Sequence, residues 1–220
     1  MKTYFAVVVL LSTLLLAPTT WAVETSPDTL VDNTAQEVLT IIRQDKEIQS
    51  GTNKAKMLDL VETKILPHFN FNRMTRLAMG KNWRKAAPQQ QREIVDQFRT
   101  LLVRTYYKTL SVYSDHTIKV TPLKDIGGST DVTVKTQVIQ SHGQPVPINY
   151  SMEKTSNGWK VYDVTVAGIS LIINYRGSFN SQIRRGGVEG LLKTLAEKNR
   201  TLDAKDKEKS AALVKQFETA

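Results

Sequence analysis

"VPINYSMEKTSNGWKVYDVTV", residues 146–166, decides how the chain folds. Val146, Ile148, Tyr150 and Met152 fall on one side and Pro147, Asn149 and Ser151 on the other, the period-two pattern of a half-buried strand. Asn157-Gly158 is a tight-hairpin signal, and "GWKVYDVTV" after it reads as the returning strand. Upstream, "HTIKVTP" (116–122) and "TDVTVKTQV" (130–138) alternate in the same way, with Gly127-Gly128 and His142-Gly143 at the joints. Four consecutive strands joined by short turns predict an antiparallel meander.

Both flanks of this block change to helical spacing. Ser26-Pro27 can cap and open a first helix, with Leu30, Thr34, Val38, Ile41 and Ile42 on one face and a break at Gln49-Ser50-Gly51. Leu58, Val61 and Ile65 mark a second helix that Pro67 stops. Asn70 or Asn72 can cap a short third one, with Phe71, Met74, Leu77 and Ala78 inward and Gly80 as its exit. Pro88 opens the longest, whose stripe is Ile94, Phe98, Leu101, Leu102, Tyr106, Leu110 and Tyr113. Beyond the strands, Val188, Leu191, Leu192 and Leu195 form a further helix after Gly186-Gly187. No repeat or interdomain linker interrupts the chain. The expectation is a single α+β domain over 23–205, with helices on one face of a curved four-stranded antiparallel sheet, followed by a charged tail over 206–220.

"VAGISLIINYRGSF", residues 166–179, is the most apolar stretch after the N-terminus. At 1.5 Å per residue its apolar run covers roughly 10 Å, against about 30 Å for a bilayer core, so it packs on protein or on something protein encloses. On a helical wheel Ile169, Ile172, Ile173, Arg176, Phe179 and Ile183 share a face. Arg176 snorkels to solvent, pairs with a carboxylate such as Asp163, or stands near the mouth of a cavity facing a phosphate.

Residues 1–22 read as a cleavable secretory signal peptide: Lys2, an apolar run from Tyr4 to Leu16, Pro18, and then Thr20-Trp21-Ala22 before the cut. Function outside the cytoplasm follows from that reading. The chain has no cysteine, which excludes disulfides, thiol chemistry and Cys-zinc sites. Its 30 Lys and Arg against 21 Asp and Glu give a net charge of +9. Secretion and the scatter of the basic residues argue against nucleic acid; an anionic membrane or an acidic partner protein remains open.

Signals for catalysis are weak. His68, His116 and His142 are far apart, and none sits in a metal-ligand motif. "GISLI" (168–172) resembles the start of a nucleophile elbow but has Ile172 where glycine is required, so Ser170 reads as a helix-start residue. "GGVEG" (186–190) lacks the Lys-Ser/Thr of a phosphate loop. Asp163, inside a strand, is the one acid that a sheet-lined enzyme cavity would use as a base. Asn199-Arg200-Thr201 matches a glycosylation sequon, a pattern frequent by chance.

Two blocks carry a resemblance. "LAMGKNWRKAAPQQQREIVDQFRTLLVRTY" (77–106) is similar to the G-x-x-W/Y-x-x-A-x-P-x-Q-R signature, with its following F, L and Y, of the MlaC or toluene-tolerance family. "VYDVTVAGISLIINYRGSFNSQIRRGGVEGLLKTL" (161–195) resembles that family's Y-D…G-V/I-S-L/M segment, its arginine-containing helix and its closing glycine turn. Ala167 departs from the usual acid and Asn70 from a common aspartate. The resemblance implies a non-enzymatic, monomeric periplasmic carrier that maintains outer-membrane lipid asymmetry. Such a carrier shuttles phospholipid between an outer-membrane lipoprotein–porin complex and the substrate-binding ring of an inner-membrane ABC transporter. Phospholipid is then cargo, and no cofactor is expected.

Two acyl chains of about thirty methylenes represent on the order of 25 kcal/mol of exposure to water, so a carrier needs a hollow lined with hydrocarbon. Wall candidates are Val134, Val138, Ile148, Tyr150, Met152, Val164 and Val166 from strands and Phe98, Leu102, Tyr106, Ile169 and Ile172 from helices, with Arg176 at the mouth. Arg176, Arg184 and Arg185 can also guide docking on acidic partner surfaces. Two other readings stay open: a cavity enzyme with Asp163 as base, and a lipid-free envelope module with a solid core.

Overall fold

The computed structural model describes residues 25–112, 115–140 and 143–218; the expected signal peptide (1–22), Tyr113 and His142 lie outside the described residues. Helix α1 spans Pro27–Gln44, and the Ser26 side chain accepts a hydrogen bond from the Thr29 amide at its start. A short α2 (Lys46–Gln49) and α3 (Lys54–Leu60) follow. α3 runs on through a wider π turn, Val61–Ile65, and a 3-10 turn, Leu66–His68, where Pro67 ends it. Asn70, not Asn72, caps α4 (Phe71–Met79): its Oδ1 accepts from the Arg73 amide at 3.0 Å. Pro88 opens α5 (Pro88–Tyr106), where the Gln90 side chain accepts from the Ala87 amide. A single turn, α6 (Thr109–Val112), then leads into the sheet.

The sheet has five strands in sequential order, all antiparallel: β1 Thr117–Val120, β2 Asp131–Ile139, β3 Val146–Thr155, β4 Gly158–Val166 and β5 Ile169–Ser170. The expected meander of four strands gains a two-residue fifth. Ala167 (φ 49°) and Gly168 (φ 84°) both take left-handed conformations, the geometry of a two-residue hairpin turn. Ile169 and Ser170 thus fold back onto Val166 and Thr165 before any helix begins. Ser170 still serves as the helix start expected of it, because its Oγ accepts from the Ile173 amide at 3.1 Å.

Strict alternation in β4 would put Trp159, Val161, Asp163 and Thr165 on one face. The register slips between Ser151 and Met152, with Ser151 opposite Asp163 and Met152 opposite Val161, so Tyr162 has no cross-strand partner. This bulge shifts the frame by one residue and turns Val164 and Val166 to the same inner side as Trp159 and Val161. The helices cover that side. Arg73 of α4 fastens helix to sheet: it bonds Glu153 and Asp131 at 2.6 Å each and stacks 3.6 Å over the Tyr162 ring.

The last helix, α7, runs from Leu171 to Glu218 with a break at Gly186-Gly187, where Gly187 has φ 65°. Its first part buries Ile172, Phe179 and Ile183 against α4 and α5, but Ile169, Ile173 and Arg176 do not share that face. Ile169 is a strand residue, and Ile173 points to solvent. The stretch expected as a tail starts inside α7, and its first residue, Asp206, is buried. Asp206 accepts from the Tyr107 hydroxyl at 2.9 Å and pairs with Lys54 at 3.0 Å and with Lys108. Asn199 of the sequon is also buried, and its amide nitrogen donates to Gln97 at 2.8 and 2.9 Å.

Candidate functional site

Three packed clusters make up the interior. One joins α4, α5 and α7 around Phe98, Phe179 and Leu191. A second joins α1, α2, α3 and the π turn to Tyr107 around Ile42 and Met57. The third sits on the sheet around Val134, Met152 and Trp159, with Val31 of α1. They do not fuse. Where they meet, a cavity of about 330 Å³ remains. Each cluster supplies wall residues: Met74 and Leu102 from the first, Val38, Ile42, Val61 and Tyr107 from the second, Val31, Met152 and Val161 from the third. The cavity reaches solvent beside Tyr106, Thr109 and Val166, which line it and are themselves exposed.

Its chemistry is hydrocarbon. No aspartate, glutamate, lysine or arginine stands in the wall, and polar groups there are limited to Thr34, Thr109, His68 and three tyrosines. Burial, and then the Lys160 charge, pull the His68 imidazole below the ordinary histidine pKa, which leaves it neutral at pH 7. Among the described residues no group of acids and histidines is placed to hold a metal ion. Such a wall binds a ligand through burial of apolar surface and offers no charge to grip or to react with.

Seven of the thirteen residues singled out in the sequence stand in this wall: Leu102, Tyr106, Ile148, Tyr150, Met152, Val164 and Val166. The other six do not. Phe98 and Ile172 are solid core between α5 and α7, where Phe98 meets Phe179 and Tyr175 edge-on at 5.0 and 4.9 Å. Val134 and Val138 face inward but lie under packed side chains. Ile169 is exposed, because the β5 hairpin carries it outward. Arg176 is exposed too, and its Nε donates to the Leu77 carbonyl at 2.9 Å, not to Asp163. Asp163 instead accepts from the Ser170 hydroxyl at 2.6 Å and the Ile172 amide at 3.2 Å, so it caps the start of α7 and stands outside the wall.

Sequence reasoning missed α1 as a wall. Leu30, Thr34, Ala35, Val38, Leu39 and Ile42 all line the cavity. The signal lay in the middle of its stripe: Thr34 and Ala35 are small where large residues would have closed the space onto the sheet. A second wall, the turns from Val61 to Phe69, follows from Pro67 ending α3 beside β4, where the Asn70 amide donates to the Val161 carbonyl at 2.8 Å.

The described residues include no helix long and apolar enough to cross a membrane. The sequence profile of the family described as MlaC protein matches residues 32–197. The chain is 25% identical over 194 residues to the intermembrane phospholipid transport system binding protein MlaC of Haemophilus influenzae, covering 83% of this chain and 88% of that protein. It is 28% identical over 164 residues to the toluene tolerance protein ttg2D of Pseudomonas putida, 74% of this chain and 75% of that one. Among solved structures, it matches a phospholipid-binding protein from Ralstonia solanacearum in complex with a phospholipid. That match has a TM-score of 0.74 and 38% identity, over 80% of this chain and 98% of that one.

Proposed function

The chain belongs to the MlaC family, and from that premise we propose that it carries phospholipid between membranes, with the acyl chains in the hollow between α1, α5 and the sheet. One observation carries the reading: a cavity walled from three sides by hydrocarbon and free of charged side chains. A solid-core interaction module has no need of such a space, since unfilled volume forfeits dispersion contacts and costs stability. The phospholipid bound by the Ralstonia structure supports the same cargo here.

We read the protein as a binding protein and not an enzyme. The relatives are named for binding and transport, and Asp163, the acid a cavity enzyme would use, is engaged in capping α7. The periplasm is its proposed compartment. Its proposed partners are the ring of an inner-membrane ABC transporter and an outer-membrane lipoprotein–porin complex, as the family resemblance implies. The protein is proposed to act as a monomer, without nucleic acid.

The deciding experiment is expression in bacteria, purification without detergent, solvent extraction and mass spectrometry. A phospholipid near one per protein is expected. A protein that emerges lipid-free and takes up none from vesicles would identify an interaction module, and a turnover abolished by Asp163→Asn would identify an enzyme.

A further inference from the structure

Among the described residues, the exposed large hydrophobic side chains are Tyr106, Val166, Ile169 and Ile173. Tyr106 and Val166 are the rim of the cavity. Ile169 pairs with Val166 across the β4–β5 hairpin, and Ile173 follows in the first turn of α7. At 66% and 70% exposure, Ile169 and Ile173 neither line the hollow nor pack in the core. Among the described residues their side chains have no packing role.

Next to this lip stands a basic cleft. Arg76, Arg84 and Arg176 line it together with Leu77, Gly80 and Trp83. Ile173 and Arg176 are three residues apart in α7, so they are neighbours on one side of the helix. None of the three arginines forms a salt bridge among the described residues. Arg176 spends its Nε on the Leu77 carbonyl, and this holds the rest of its guanidinium in the cleft. Protruding aliphatic side chains backed by guanidinium groups that have no carboxylate partner are a combination that holds proteins on anionic bilayers. The aliphatic groups enter the acyl boundary, and the cations stay at headgroup depth.

We propose that the cavity mouth docks directly on an anionic phospholipid bilayer, with Ile169 and Ile173 entering the acyl boundary while Arg76, Arg84 and Arg176 meet lipid phosphates. The proposal rests on the carrier reading and adds a loading surface to it. Two isoleucines that stand out of the surface offer no groove for a partner's side chains. They also supply only a small part of the roughly 800 Å² per partner that a stable protein complex buries. They suit a bilayer, which needs no complementary shape, and they leave the tails no water to cross between membrane and hollow.

The test is co-sedimentation of the purified protein with vesicles of phosphatidylcholine alone or mixed equally with phosphatidylglycerol. Binding to the mixed vesicles that weakens with salt is expected. The double variant Ile169→Ser/Ile173→Ser should lose about tenfold or more in partitioning with an unchanged circular dichroism spectrum. Arg76→Gln/Arg84→Gln should lose the preference for the anionic mixture. Wild-type protein that carries lipid but ignores both vesicles would overturn the proposal and leave the carrier reading standing, whereas a lipid-free protein would strike the carrier reading itself. Serine variants that bind as well as wild type, or that fail only to bind a partner protein, would assign this face elsewhere.

Discussion

Val134 and Ile148 face the same way on neighbouring strands, yet a glutamate has opposite consequences at the two positions. Val134 is fully buried among Met152, Trp159 and Val161. A carboxyl there has no partner and no water; even protonated it costs several kcal/mol and is larger than the valine it replaces, which consumes most of the 5–15 kcal/mol that holds an ordinary domain together. Val134→Glu is expected to give no folded protein, measured by circular dichroism. Ile148 is only half-buried and borders the hollow beside Val166 at the mouth. Ile148→Glu should fold and elute as the wild type does, but carry no phospholipid by mass spectrometry. Alternation along β2 and β3 was legible in the sequence and gave the inward face of both residues. It cannot give depth, because whether a side chain meets another side chain or empty space is set by a different element, here α1.

At the scale of elements, α7 is held at both ends of its long run. Asp163 caps its first turn, and Asp206 fastens its far part to α3 and α5 through Lys54, Tyr107 and Lys108. Burial pushes the Asp206 carboxyl up, but the hydrogen bonds from Lys108, Lys54 and Tyr107 outweigh it and hold the carboxyl down to about 2. A depressed carboxyl stabilises the fold above its ordinary value near 4, and that contribution fades as pH falls toward 2. Asp206→Asn is therefore expected to lose about 2 kcal/mol at pH 7, a fall in melting temperature of about 4–8 °C by calorimetry. The gap from wild type should narrow between about pH 4 and pH 2. Helix starts at Ser26, Asn70 and Pro88 were readable because capping chemistry is local. The hairpin at Ala167-Gly168 and the bulge at Tyr162 were not. Ala167 is an unusual residue for a left-handed turn, and a bulge becomes visible only once β3 and β4 are paired.

For the whole molecule, lipid and fold are thermodynamically linked. A ligand that binds only the folded state adds about 2.7 kcal/mol at one hundred times its dissociation constant. Protein stripped of lipid by solvent or detergent exchange is expected to melt at a lower temperature than protein as purified, with recovery on refilling from vesicles. A melting temperature indifferent to lipid would mean that the hollow is not where the tails reside. Order and class of the elements, helices then sheet then helix, followed from period alone. The hollow did not, since apolar composition is the same for a filled core and a vacant one.

The interior is divided into three packed blocks that border a common space, with Phe69 bridging the helical block and the sheet block along one side of it. The wall is fixed where Phe69 and Arg73 join the first and third blocks. Widening of the space therefore falls on the side of α1, and tails of different length or unsaturation are expected to be taken up there. Cargo tolerance, on this view, is set by how the core is partitioned more than by any one side chain in the wall.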